Sequence, residues 1–133
     1  MICPAVHFPG CCAEAMELYK KAFNASVNYL LHVKDAPRDA GSEAPIKNGN
    51  RVAHAEMTIC GSRVNMSDCD DAAPGSMVLL NAFMPTSDEV AGAYAVLKDG
   101  GKVIIELGPT FFSPMYCSVE DRFGVRWQLI GGK

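Results

Sequence analysis

Apolar and polar positions along this chain follow two periods, and the periods alternate in the same order twice. Ile2 to Phe8 reads as a short strand, with Pro4 fitting an edge or a strand start, and Pro9-Gly10 makes a turn. From Ala13 to Phe23 the apolar residues Met16, Tyr19 and Phe23 recur at helical spacing beside Ala15, Leu18 and Ala22, while Glu17, Lys20 and Lys21 point elsewhere. Asn24 can close this helix in the left-handed conformation. Val27 to Val33 returns to strand. Lys34 to Asn50 is a long polar loop holding Pro37, Gly41, Pro45 and Gly49, of a length that is usually functional or mobile. Val52 to Ile59 alternates, with Ala53, Ala55, Met57 and Ile59 on one face and His54, Glu56 and Thr58 on the other. A hairpin at Gly61-Ser62 leads into Arg63 to Ser67, and Asp68 to Gly75 is an acidic linker.

The second half repeats the order. Met77 to Phe83 is a predicted strand, and Thr86 with Glu89 matches a capping box at the start of a helix. Val90, Tyr94 and Leu97 form that helix's apolar stripe, and Asp99-Gly100-Gly101 stops it. Strands follow at Val103 to Glu106, Met115 to Val119 and Gly124 to Ile130, with a loop from Thr110 to Pro114. Strand, helix and three strands thus occur twice, over residues 1–68 and 76–130. At 133 residues the chain is expected to be one α+β domain, 1–133, of two βαβββ modules.

Composition narrows the function classes. Half the residues are hydrophobic, enough for a proper core. The net charge of -3 lacks the Lys/Arg concentration of a nucleic-acid surface, so no nucleic-acid partner is expected. No run of about 18 apolar residues would span a membrane. The first residues lack the organisation of a signal peptide, which gives a cytoplasmic expectation. Six cysteines (Cys3, Cys11, Cys12, Cys60, Cys69 and Cys117) show no CxxC spacing, and are read as reduced thiols rather than three disulfides or a zinc site. Cys11-Cys12 at a helix start leaves open a lowered thiol pKa and a reactive role.

Candidate chemistry is sparse. His54 and Glu56, two apart on one strand, project to the same face. They suit a polar pair on a half-buried strand, a ligand contact, or an acid/base or metal-binding pair that lacks a nearby third ligand. His7 and His32 are scattered and read as edge or loop residues. Phe111, Phe112, Met115 and Tyr116 form a dense apolar group that is either a wall over a cleft or the packing of an irregular loop. Trp127 is expected in the core. Gln128 then faces the other way, and Asn81 in the fifth strand does likewise. Such amides suit hydrogen bonding to a ligand, not proton transfer. There is no GxGxxG, no GxxxxGK[ST] and no GxSxG.

Three stretches taken in order resemble PhnB-like proteins of the vicinal oxygen chelate (glyoxalase/bleomycin-resistance/dioxygenase) superfamily. They are the run from His7 to Phe23, with the skeleton F-x-G-x-x-x-E-A-x-x-x-Y-x-x-x-F; His54 to Ile59 followed by Asn65-Met66-Ser67-Asp68; and Thr110-Phe111-Phe112 with Asp121 to Trp127. Phe112 stands where that family more often shows tryptophan, and Asn24 where it usually shows glycine. The resemblance implies curved mixed sheets around a cleft, a small-molecule ligand and a homodimer. In the family's metal enzymes, histidines and glutamates of the first and last strand of each module hold a divalent ion, which acts as a Lewis acid. The matching positions here fall near Pro4, Asn65 to Ser67, Met77 or Val78, and Gln128, which argues against that site. No cofactor is therefore expected. The leading expectation is small-molecule binding through His54, Glu56, Asn81, Phe112, Tyr116 and Gln128, with enzymatic activity left open. The alternatives are a metal-dependent glyoxalase- or dioxygenase-type enzyme and an antibiotic-sequestering protein. A methyltransferase label sometimes given to such chains does not suit this one, which lacks the glycine-rich loop of a parallel α/β sheet.

Overall fold

The computed structural model describes residues 1–38 and 48–132. The first half runs β1 (Ala5–Phe8), α1 (Cys12–Phe23), β2 (Ser26–His32), β3 (Val52–Ile59) and β4 (Ser62–Asp68). The second runs β5 (Leu80–Met84), α2 (Ser87–Lys98), β6 (Lys102–Gly108), β7 (Met115–Glu120) and β8 (Arg126–Gly131). Each half makes one four-stranded mixed sheet, ordered β1-β4-β3-β2 and β5-β8-β7-β6. The first strand of each half pairs in parallel with the last, and all other pairs are antiparallel. The expected α+β class and the duplicated element order are those observed. Gly41 and Pro45 of the long loop lie outside the described residues, and the stretch before them opens with a short 3-10 turn at Val33–Asp35.

Local chemistry accounts for the element ends. Cys11 offers α1 no side-chain cap; instead Asp68, at the end of β4, accepts from Gly10 N at 3.1 Å and Cys12 N at 2.9 Å. A carboxylate there satisfies free N–H groups and faces the positive end of the helix dipole. Asn24 ends α1 in the left-handed region at φ 52°. In α2, Thr86 Oγ1 accepts from Glu89 N at 3.2 Å, which is the threonine half of the expected capping box.

Several predicted boundaries move. β1 begins at Ala5 and β5 at Leu80; Met77 and Val78 are exposed and precede the strand. The hairpin turn is Cys60-Gly61, both at positive φ (49° and 82°), the geometry that two-residue hairpins favour for matching strand twist. β8 begins at Arg126 because Gly124, at φ 90°, closes a turn by donating to Asp121 O at 2.9 Å. A Cβ at Gly124 would lie 2.6 Å from Pro74 Cγ, so glycine is required there on two counts.

The alternation along β3 is interrupted once. His54 pairs with Leu31 and Val52 with the next residue, His32, leaving Ala53 as an extra residue. Val52, Ala55, Met57 and Ile59 are consequently the buried set, and Ala53 is not.

One face of each sheet packs on its helix, and the core is continuous across both halves. Tyr19 and Phe23 of α1 meet Trp127 of β8 with ring centroids at 5.2 and 4.8 Å, and Phe8 meets Phe123 edge-on at 6.3 Å. Large aromatic areas removed from water in this way supply much of the driving force that holds two repeats together. No helix among the described residues is long and apolar enough to cross a membrane.

Candidate functional site

Because each sheet gives one face to its helix, strand alternation sends the remaining side chains to the opposite, open face. On the first sheet that face carries His54, Glu56 and Thr58 of β3, and register places Asn65 of β4 beside Glu56 and Arg63 beside Thr58. His54 Nε2 lies 3.0 Å from Glu56 Oε2, Arg63 Nη2 lies 2.8 Å from Glu56 Oε1, and Arg63 Nε donates to Asn65 Oδ1 at 2.9 Å. The Tyr29 ring of β2 stands 5.8 Å from the His54 ring, and Thr58 Oγ1 donates to Asn28 Oδ1 at 2.7 Å. Glu56 thus sits between an imidazole and a guanidinium, and the cluster is bonded internally. Sequence reasoning found His54 and Glu56 and missed Arg63, Asn65 and Tyr29. The signal for Arg63 and Asn65 lay in the two-residue turn, which sets the β3–β4 register.

On the second sheet the open face is ordered in rows. Gln128 of β8 lies in register between Ser118 of β7 and Asn81 of β5. The next row is Tyr116, Ile130 and Phe83. The row on the other side is Glu120 and Arg126, with Arg126 Nε 3.1 Å from Glu120 Oε1. Phe112 packs edge-on against Tyr116 at 5.1 Å between centroids, and Phe111 against Phe112 at 5.0 Å. Trp127 is buried toward α1 and Gln128 points oppositely, as expected. Burial raises the Tyr116 phenol above its usual pKa, and the Gln128 side chain beside it acts in the other direction.

The six candidate residues therefore fall in two groups. His54 and Glu56 are together on the first sheet; Asn81, Phe112, Tyr116 and Gln128 are together on the second. No hydrogen bond, ion pair or ring contact among the described residues joins the groups. Asn81 also lines a groove of about 500 Å³ at the seam between the halves, with Met1 to Pro4, the β3–β4 hairpin and Leu79 to Phe83. A second seam groove of about 580 Å³ is walled by Pro4 to His7, Ala72 to Leu80 and the β7–β8 turn. Both volumes suit a small organic molecule.

Among the described residues, no three His, Cys, Asp or Glu side chains converge as a metal-holding group. β5 and β8 present Asn81 beside Gln128, and β1 and β4 present Ala5 beside Asn65. Neutral amides and an alanine do not fit a divalent cation that asks for imidazole and carboxylate donors. The expectation of a lowered thiol pKa at the α1 start is corrected. Burial raises Cys12 to about 12, with Asp68 adding to the rise, and Cys11 is also raised, by burial first and then by Glu14. Thiols held protonated in this way are poor nucleophiles.

The comparisons with known proteins agree with this architecture. The family model of the glyoxalase/bleomycin resistance protein/dioxygenase superfamily matches residues 7–129. Protein YjdN of Escherichia coli (strain K12) is 25% identical over 134 residues, covering 95% of this chain and 91% of that protein. Protein PA1353 from Pseudomonas aeruginosa has a crystal structure that superposes with a TM-score of 0.84 at 25% identity, over 98% of this chain and 96% of the other. The PhnB protein from Bacillus cereus superposes with a TM-score of 0.76 at 23% identity, over 98% of both chains, a likeness of fold.

Proposed function

Since the chain belongs to the glyoxalase/bleomycin resistance protein/dioxygenase superfamily, we propose that it is a PhnB-like protein that binds a small organic molecule on its open sheet faces without using a divalent metal. One observation carries this reading. Where the first and last strands of the second half meet, the open face presents Asn81 and Gln128, side chains that hydrogen-bond a ligand and supply neither the imidazole nor the carboxylate donors of a transition-metal site. Aromatic side chains stand next to them, as ligand-binding surfaces require.

The same faces carry apolar residues out of contact with the core. Phe111 is fully exposed, and Phe83, Phe112 and Tyr29 are about half exposed or more. Exposed apolar side chains on an unpartnered sheet face suit association. A homodimer whose second copy closes over the faces would shelter these residues and enclose the ligand.

Native mass spectrometry of the purified chain, before and after incubation with a small-molecule extract of the cells that make it, tests the proposal. The expected result is a dimer carrying an organic adduct and no stoichiometric metal. A chain that takes up no organic molecule, or that holds zinc, nickel, manganese or iron in a fixed ratio, would overturn it.

A further inference from the structure

The polar residues of the two open faces differ in one respect that selects between them. On the first sheet, His54, Glu56, Arg63 and Asn65 are bonded to one another. On the second, Ser118 and Asn81 have no side-chain hydrogen-bond partner among the described residues, and Gln128 leans only on the Tyr116 phenol. Ser118 is 2% exposed, yet it is in register with Gln128 on the open face, between Cys117 and Val119, which face the core. Among the described residues no fully enclosed side-chain oxygen or nitrogen lacks a partner, so the Ser118 hydroxyl keeps a narrow opening on that face.

A hydroxyl this nearly covered, with no protein partner, is left for water or a ligand to bond. Tyr116, 6% exposed, stands in the neighbouring row with Phe112 packed edge-on against it. Gly108 is in register with Tyr116, and a Cβ there would meet no atom within 4 Å, so the ring has open space beside it. On the other side Arg126 is already paired with Glu120. The row therefore has no unpaired charge beside it to hold an ionic ligand. Serine and the two amides each supply both a donor and an acceptor.

Building on the reading that the open faces hold a small molecule, we infer that the Ser118–Gln128–Asn81 row is the polar anchor of the site. It takes an uncharged ligand whose amide, or similar donor–acceptor group, adjoins a planar apolar ring. The amide bonds the row, and the ring lies against Tyr116 and Phe112.

Three probes of closely similar planar shape and different charge test this: benzamide, benzoate and benzamidinium, titrated into the ¹⁵N-labelled full chain and followed by NMR. Benzamide is expected to shift the Ser118 backbone amide and the side-chain amides of Asn81 and Gln128. The two ions are expected to bind there weaker by roughly tenfold or more, the loss of about one good hydrogen bond. Gln128→Glu should weaken benzamide by a similar factor with the rest of the spectrum unchanged. Should that variant misfold, the exposed Asn81→Asp serves instead. Equal or tighter binding of either ion at the row overturns the inference, as does the absence of any shift there. Shifts at His54, Glu56 and Arg63 alone overturn it too, while small-molecule binding itself stands; the mass-spectrometric experiment decides that separately.

Discussion

The phenolic hydroxyl of Tyr19, in the first helix, donates to Asp121 Oδ2 at 2.7 Å across 102 residues of sequence. Trp127 Nε1 donates to the same oxygen at 3.0 Å, and the backbone amides of Phe123 and Val125 donate to Oδ1 at 2.9 and 3.1 Å. One buried carboxylate, 2% exposed, thereby ties α1 of the first half to the β7–β8 turn of the second. Its turn-shaping role was legible from the Asp-Arg-Phe-Gly sequence. The link to Tyr19 was not, because nothing local in either segment specifies a partner so distant.

Tyr19→Phe keeps the ring in the core and removes only the hydroxyl. Asp121 then loses a donor in a place that water does not reach, at a cost of about 1–3 kcal/mol. Asp121→Asn costs more, since an amide NH₂ would face donors. Urea unfolding followed by Trp127, the sole tryptophan, measures both; a Tyr19→Phe midpoint equal to wild type would contradict this assignment.

The buried thiols set an alkaline limit. Burial raises Cys12 from 9.0 to about 12 and Cys117 from 9.0 to about 11. Above pH 9 the unfolded chain releases these protons and the folded chain keeps them, so the unfolded state binds fewer protons and stability falls as pH rises. The fall starts near pH 9 and runs to about 11 for Cys117 and about 12 for Cys12. Buried Tyr19, also raised, adds to it in the same direction. Urea midpoints measured upward from pH 8 should decline beyond 9, and the slope in Cys117→Ala should be shallower than in wild type. At pH 8, iodoacetamide should leave Cys12 and Cys117 unmodified in the folded chain and label them after unfolding.

The Glu56 ion pairs contribute little to stability. The Arg63 side chain is about half exposed and Glu56 about a quarter, and pairs this solvated are worth roughly 1 kcal/mol or less. Arg63→Ala should shift the urea midpoint by no more than that; a loss several times larger would show the cluster to be a structural lock.

The duplicated element order could be read from periodicity because each helix and strand buries one continuous face. The residues that lay hidden depend on register. Ala53 looks like a core position until a bulge displaces it, and Met77 and Val78 look like strand but have no neighbouring chain to pair with. Gln128 and Asn81 were assigned a facing from Trp127 alone, and the sheet places them side by side. Ser118 was overlooked because a serine between Cys117 and Val119 carries no signal of its own; only the pairing with Gln128 reveals its direction.

Ligand binding on the open sheet faces is expected to need no metal. The molecule that co-purifies with the chain should be released, identified and rebound after exhaustive treatment with a chelator. Affinity unchanged by the chelator is the predicted result. Affinity abolished by the chelator and restored by zinc, nickel, manganese or iron would contradict it.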